Sequence, residues 1–228
     1  MKINANYEER VSGHPSQMSW TPSPAPGVDR IMLDRIGDEV ARATSIVRYA
    51  AESSFAPHTH DGGEEFFVLE GVFQDEYGDY PAGTYVRNPP GTRHAPGSAQ
   101  GCTIFVKLRQ FAPGDQEAVV VNTKLLDPAT GDRHRDVSNS ILFTNDHETV
   151  RIEDWKPGVH FITKPDGGLE ILCLEGSFTE GGELFDIQSW LRLPVDAPLN
   201  AAAGPDGCRV WIKEGHLRTL REDNQVSL

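Results

Sequence analysis

The chain repeats itself once. HDGGEEFFVLEGVF (60–73) returns 105 residues later as PDGGLEILCLEGSF (165–178), with the Asp-Gly-Gly turn, the second glutamate, Leu-Glu-Gly and the final Phe all coinciding. TYVRNP (84–89) lies at the same offset from SWLRLP (189–194). GCTIFVK (101–107) resembles GCRVWIK (207–213), with one residue inserted. Such a repeat implies two copies of one structural unit. The 228 residues are therefore read as two domains, 1–112 and 113–228, with Ala112-Pro113-Gly114-Asp115 as the linker.

Each copy is written in strand chemistry. RATSIVRYA (42–50), EEFFVLEGVF (64–73), TYVRN (84–88) and CTIFVKLRQF (102–111) are rich in β-branched and aromatic residues. DGG (61–63), YGDYPAG (77–83) and NPPGTRH (88–94) separate them with turn residues. Short strands at this spacing, without a 3.6-residue period, predict an all-β sandwich or barrel. The first ~30 residues, which hold several prolines, read as an extended arm ending in a strand.

Charge and cysteine usage exclude some partners. The net charge is −13 with scattered basic residues, so neither nucleic acid nor an anionic membrane surface is expected to bind. No apolar run approaches bilayer-spanning length, and MKINANYEERVSGHPS lacks the apolar core of a signal peptide. Cys102, Cys173 and Cys208 are odd in number and lack CxxC spacing. Reduced thiols in a cytoplasmic protein are the expectation, with Cys102 and Cys208 as small buried hydrophobes.

The chemistry gathers in the first copy. His58 and His60 are one residue apart, so in a strand both imidazoles share a face. Their Cα atoms would lie about 6.7 Å apart, close enough for two ring nitrogens to reach one ion at ~2.1 Å. Asp61-Gly62-Gly63 reverses the chain, and Glu64 opens the returning strand beside them. His94 ends Pro89-Pro90-Gly91-Thr92-Arg93-His94, a turn that can carry its imidazole back to the same point. Three histidines and a glutamate suit iron, manganese, nickel, zinc or copper, and donor type alone does not choose. Four protein ligands leave positions open on a five- or six-coordinate ion but close a tetrahedral zinc. Glu65 becomes the ligand instead if the strand register shifts by one. Tyr85 and Arg87 are candidates to line the pocket and hold an anion, but Trp190 and Arg192 at the same offset favour packing.

These residues match a family pattern. His58-x-His60, three residues, Glu64, six residues, Gly71 fits the first motif of the cupin superfamily. Gly83, five residues, Pro89-x-Gly91-x-x-His94 fits the second, with Ser98 where the pattern has Asn. The surrounding GGEEFFVLEGVFQDEYGDYPAGTYVRNPPGTRH resembles the cupin of ChrR-type anti-sigma factors, over roughly residues 28–111. The resemblance implies two tandem cupin barrels of jelly-roll type. It also implies one divalent metal on His58, His60, Glu64 and His94, with iron or zinc ahead of manganese and nickel. ChrR-type proteins grip a sigma factor through a His- and Cys-bearing domain before the cupin. Ahead of the motif this chain has His14 alone and no cysteine, so a sigma factor is not an expected partner.

The second copy lacks the ligands. At the same offset His58 becomes Thr163, His60 becomes Pro165 and Glu64 becomes Leu169, and the counterpart of His94 falls near Leu199 or Asn200. Glu170 is the counterpart of Glu65, which marks that position as structural. His14, His134, His147, His160 and His216 read as surface or satisfied polar residues rather than as a second metal site. Three functions fit the pattern. One is a metal-dependent dioxygenase or related oxidoreductase acting on a small enolisable ketone through the metal. Another is a non-catalytic zinc-binding sensor module. Isomerase or sugar chemistry comes third, because no carbohydrate-stacking aromatics or extra acid/base pair can be read. Open sheet edges also suit a homodimer.

Overall fold

The computed structural model describes residues 1–127, 129–130 and 134–220, so the last eight residues of the expected second domain lie outside the described residues. The chain packs into two compact units. One contains Met1–Ala5 and Met18–Leu125; the other contains Asn6–Gln17 and the chain from Leu126 onward. Among the described residues no helix is long and apolar enough to cross a membrane.

In the first unit the main sheet is antiparallel. It runs Lys2–Ile3, Val28–Gly37, Ala41–Tyr49, Cys102–Leu108, Glu64–Asp75, Thr84–Asn88 and Val119–Asn122. The second runs Ala129–Thr130, Val137–Thr144, Thr149–Trp155, Leu199–Glu214, Leu169–Glu180, Trp190–Leu193 and Val11–Gly13. The two orders correspond strand for strand, as the repeat demands. The β-branched and aromatic runs form strands because alternate side chains enter a core. Phe66, Val68, Phe73, Val86, Ile104 and Val106 pack together in the first unit. Ile171, Cys173, Phe178, Leu191, Val210 and Ile212 do so in the second.

The Asp-Gly-Gly turn recurs for a steric reason. Gly63 has φ +78° and Gly168 φ +84°, a left-handed backbone that favours glycine. A Cβ at Gly63 would meet the Phe111 ring at 2.4 Å, and one at Gly168 would meet Leu217 at 2.7 Å.

Part of the segment expected as an arm and the chain just after the expected linker are built into sheets. Residues 119–122 form the strand beside Thr84–Asn88, and residues 11–13 form the strand beside Trp190–Leu193. Buried arginines at equivalent positions hold them. Arg87 pairs with Asp115 at 2.8 Å, donates to the Glu117 carbonyl at 2.9 Å and lies 4.3 Å over the Phe111 ring. Arg192 lies 4.5 Å over the Tyr7 ring and donates to the Asn6 carbonyl at 3.0 Å. Tyr85 donates to Glu65 at 2.5 Å, and Trp190 donates to Glu170 at 3.0 Å. These paired positions serve packing in both copies, and the anion-holding reading of Tyr85 and Arg87 does not hold.

All three thiols are buried and free. Burial pushes Cys102 up to about 11 and Cys173 up to about 12, which keeps both protonated near neutrality.

Candidate metal centre

His58 and His94 face one another across two short strands. His58–Thr59 pairs antiparallel with Arg93–His94, and the register sets His94 directly opposite His58. The Gly91 amide bonds to the His60 carbonyl at 2.9 Å and the His60 amide to the Thr92 carbonyl at 2.9 Å, which locks the Pro-Pro-Gly turn against the His-x-His strand. The ring centroids lie 4.9 Å apart for His58 and His60, 5.1 Å for His58 and His94, and 4.6 Å for His60 and His94. One ligand atom from each of the three lies within 4.8 Å of the others, the only such His/Cys/Asp/Glu group among the described residues.

The outer nitrogens decide what the inner ones offer. His58 Nδ1 lies 3.3 Å from the Ala56 carbonyl, and His94 Nδ1 lies 3.1 Å from Asp75 Oδ2. A carbonyl and a carboxylate only accept, so both Nδ1 atoms carry the proton. His60 Nδ1 lies 3.5 Å from Thr92 Oγ1, whose hydrogen is already donated to the Pro89 carbonyl at 2.7 Å. His60 therefore also donates from Nδ1. In neutral rings this turns three Nε2 lone pairs inward. Burial lowers the His60 pKa, opposing Glu64, which raises it; the neighbouring rings of His94 and His58 push the same way as burial.

The inner atoms fit a cation. The Nε2 atoms of His58 and His60 lie 3.1 Å apart. Two nitrogens each ~2.1 Å from one ion would be separated by about 3.0–3.4 Å. His94 Nε2 is buried without a hydrogen-bond partner, a cost that coordination removes. Glu64 Oε2 lies 3.6 Å from both His60 Nε2 and His94 Nε2 and accepts from Asn88 Nδ2 at 3.3 Å. Glu65 is engaged by Tyr85 on the opposite parity. His60, Glu64 and His94 are buried, whereas His58 is exposed at the rim.

His58, His60 and Glu64 form one wall of a cavity of about 370 Å³. Its lining also includes Val47, Tyr49, Ile104, Val106 and Leu108, the arginines Arg30, Arg35 and Arg109, and the carboxylates of Glu39 and Asp61. Burial, followed by the charges of Glu64 and Cys102, raises the Tyr49 phenol far above its ordinary value, so it remains a hydrogen-bond donor.

Sequence reasoning missed Asp75, Asn88, Thr92, Tyr49 and the arginines of the cavity. Asp75 stands eleven residues after Glu64, which by simple alternation points it to the other face. The register shift between Thr103 and Ile104 marks a bulge at Leu69 that reverses the parity, so Phe66, Val68 and Phe73 share one core and Asp75 reaches His94.

The second unit keeps the geometry with other chemistry. Thr163 stands opposite Leu199 as His58 stands opposite His94. Thr163, Pro165, Leu169 and Leu199 line a cavity of about 250 Å³. Arg151 also lines it and pairs with Glu153 at 2.6 Å and Glu214 at 2.8 Å. Four of the five remaining histidines have a side-chain partner: His14 meets Glu183 at 2.7 Å, His134 Nδ1 accepts from the Asp136 amide at 3.2 Å, His160 meets Asn200 at 2.7 Å and His216 Nε2 meets Glu170 at 2.9 Å.

Residues 8–112 match the family model described as a ChrR cupin-like domain. No curated protein sequence matches the chain. Among solved structures the chain is similar to YlbA of Escherichia coli, with a TM-score of 0.69 at 14% identity over 92% of this chain and 93% of that one. It is similar to the bacterial pirin YhhW of Escherichia coli in complex with nickel(II), with a TM-score of 0.64 at 14% identity over 90% and 98%. A mutant salicylate 1,2-dioxygenase of Pseudoaminobacter salicylatoxidans gives a TM-score of 0.59 at 11% identity over 81% and 72%. At these identities the likeness concerns the fold.

Proposed function

We propose that the chain, whose residues 8–112 match the ChrR cupin-like domain, is a cupin superfamily member and a bicupin, with one divalent metal ion in the first of two tandem barrels. The barrel cores lie within 1–112 and 113–228, Asn6–Gln17 being lent to the second compact unit and the chain up to Leu125 to the first. His58, His60 and His94 would hold the ion through Nε2, with Glu64 as the fourth ligand. The observation that carries this reading is the set of three Nδ1 atoms tied outward while three Nε2 atoms converge.

The best-supported activity is that of a metal-dependent dioxygenase or related oxidoreductase acting on a small enolisable ketone. When bound, an iron-type ion supplies Lewis acidity and a redox couple at positions the protein leaves open. The protein's own contribution is to orient and exclude. Asp75, Thr92 and the Ala56 carbonyl hold the three rings in one tautomer. The apolar wall of Val47, Ile104, Val106 and Leu108 limits water beside the substrate. Tyr49 keeps its proton and can donate a hydrogen bond to a substrate oxygen in the cavity. The second barrel, lacking ligands, would be a structural partner.

Titration of the protein with iron(II) under anaerobic conditions, then oxygen-electrode traces with a panel of diketones and hydroxyketones, tests this. Stoichiometric iron and substrate-dependent oxygen uptake are expected; iron-loaded protein that consumes no oxygen with any of them refutes the activity. The match of residues 8–112 to the ChrR cupin-like domain favours a second reading, a zinc-binding regulatory module. Zinc retained on purification, with no turnover, would select it.

A further inference from the structure

Three arginines line the metal-site cavity, Arg30, Arg35 and Arg109, and the first two share it because of a bulge. Arg30 and Arg35 are five residues apart on Val28–Gly37, a separation that places them on opposite faces of a regular strand. The register with Ala41–Tyr49 shifts between Met32 and Asp34, and after that bulge both line the cavity that His58, His60 and Glu64 also line. Arg35 is 4% exposed, yet among the described residues it has no carboxylate within salt-bridge distance and donates to the Asp38 carbonyl. Arg30 reaches only the exposed Glu39, at 3.4 Å, and its Nε is buried without a partner. Burial, then the charge of Arg30, lowers the Arg35 pKa, with Glu39 and Asp38 opposing.

The cavity lining also carries the carboxylates of Glu39, Asp61 and Glu64. Among the described residues, however, Arg35 forms an ion pair with none of them and Arg30 has only the 3.4 Å contact with Glu39. An entering anion would supply the close partner that two partly desolvated guanidinium groups lack. The planar fork of arginine suits a carboxylate. We infer that the substrate is a small enolisable ketone bearing a carboxylate, which docks on Arg30 and Arg35 while its ketone oxygens face the histidine cluster. The inference deepens the proposed function and rests on it for the ketone, but the arginine subsite stands on its own geometry.

The test compares 2,4-dioxopentanoate with its methyl ester, which share the diketone and differ in the carboxylate charge. Each is titrated calorimetrically into zinc-loaded protein, which cannot turn over, and into chelator-treated protein. The acid is expected to bind at least tenfold more tightly than the ester in the zinc-loaded protein. Arg30→Gln should bring the ratio to within twofold while leaving ester binding unchanged, and Arg35→Lys, which keeps the charge, should retain part of it. Equal binding of acid and ester, or a preference that survives Arg30→Gln, overturns the inference, because chelation alone would then explain it. If instead zinc changes neither affinity but the acid keeps an Arg30-dependent preference, the metal reading fails and the arginine subsite stands.

Discussion

Replacing Asp75 by Asn isolates the contribution of a residue that would hold a histidine of the proposed metal site without being a ligand itself. Asp75 is almost fully buried at the side chain, and its two oxygens have separate tasks. Oδ1 accepts from the Tyr77 amide at 2.9 Å and from the Tyr80 hydroxyl at 3.1 Å; Oδ2 accepts from His94 Nδ1 at 3.1 Å. An asparagine keeping its oxygen on the Tyr77 and Tyr80 side presents an NH₂ to His94. Two donors cannot share that contact, so the imidazole moves its proton from Nδ1 to Nε2, where a ligand lone pair is needed. Loss of such an outer partner typically costs 10–100-fold in metal affinity, or about 1.4–2.7 kcal/mol. Zinc affinity measured by competition with a chromophoric chelator should fall by that amount in Asp75→Asn. The thermal midpoint of the metal-free protein should change little, because the Oδ1 bonds survive. Zinc affinity within twofold of wild type, in a variant with unchanged circular dichroism, would refute the tautomer argument.

Other perturbations probe separate parts of the molecule. His60→Ala should abolish stoichiometric metal binding while leaving the β-sheet circular dichroism in place; full occupancy would remove His60 from the ligand set. Arg87→Met removes the guanidinium from the Asp115 carboxylate, whose side chain is 5% exposed and which keeps the Glu117 amide at 3.0 Å, and should destabilise the first unit by about 3–5 kcal/mol in urea unfolding. Metal stoichiometry should survive that change, and its loss would return Arg87 to the site. Burial would raise the Glu183 carboxyl, but hydrogen bonds from His14, Arg10 and Ser12 hold it at about 2, below its ordinary 4.5. A carboxyl lowered in the folded state contributes stability above the unfolded value and loses it as pH falls towards 2. Wild type should therefore lose more stability than Glu183→Gln between pH 5 and pH 2, and parallel curves would contradict this. Cys102 and Cys173 should react with a thiol reagent at pH 7.5 only after unfolding, since burial pushes both thiols up to about 11 and 12; rapid labelling of native protein would count against that burial.

What can be read in this sequence is whatever depends on local spacing. The 105-residue repeat announces two copies, and the two sheets run in the same order. His58-x-His60, the Asp-Gly-Gly turn and the Pro-Pro-Gly turn before His94 are short-range devices, and the three imidazoles meet as their spacing suggested. Glu65, on the opposite parity, turns to Tyr85. Tertiary structure decided whatever depends on a bulge or on distant pairing. Asp75, Arg30 and Arg35 reach the cavity side because one extra residue reverses the alternation of a strand, and nothing in the run of side chains marks where that residue is spent. The destinations of residues 11–13 and 119–122 were likewise hidden, since a short polar or β-branched segment will pair with any open edge, and only the folded sheets determine which edge is open.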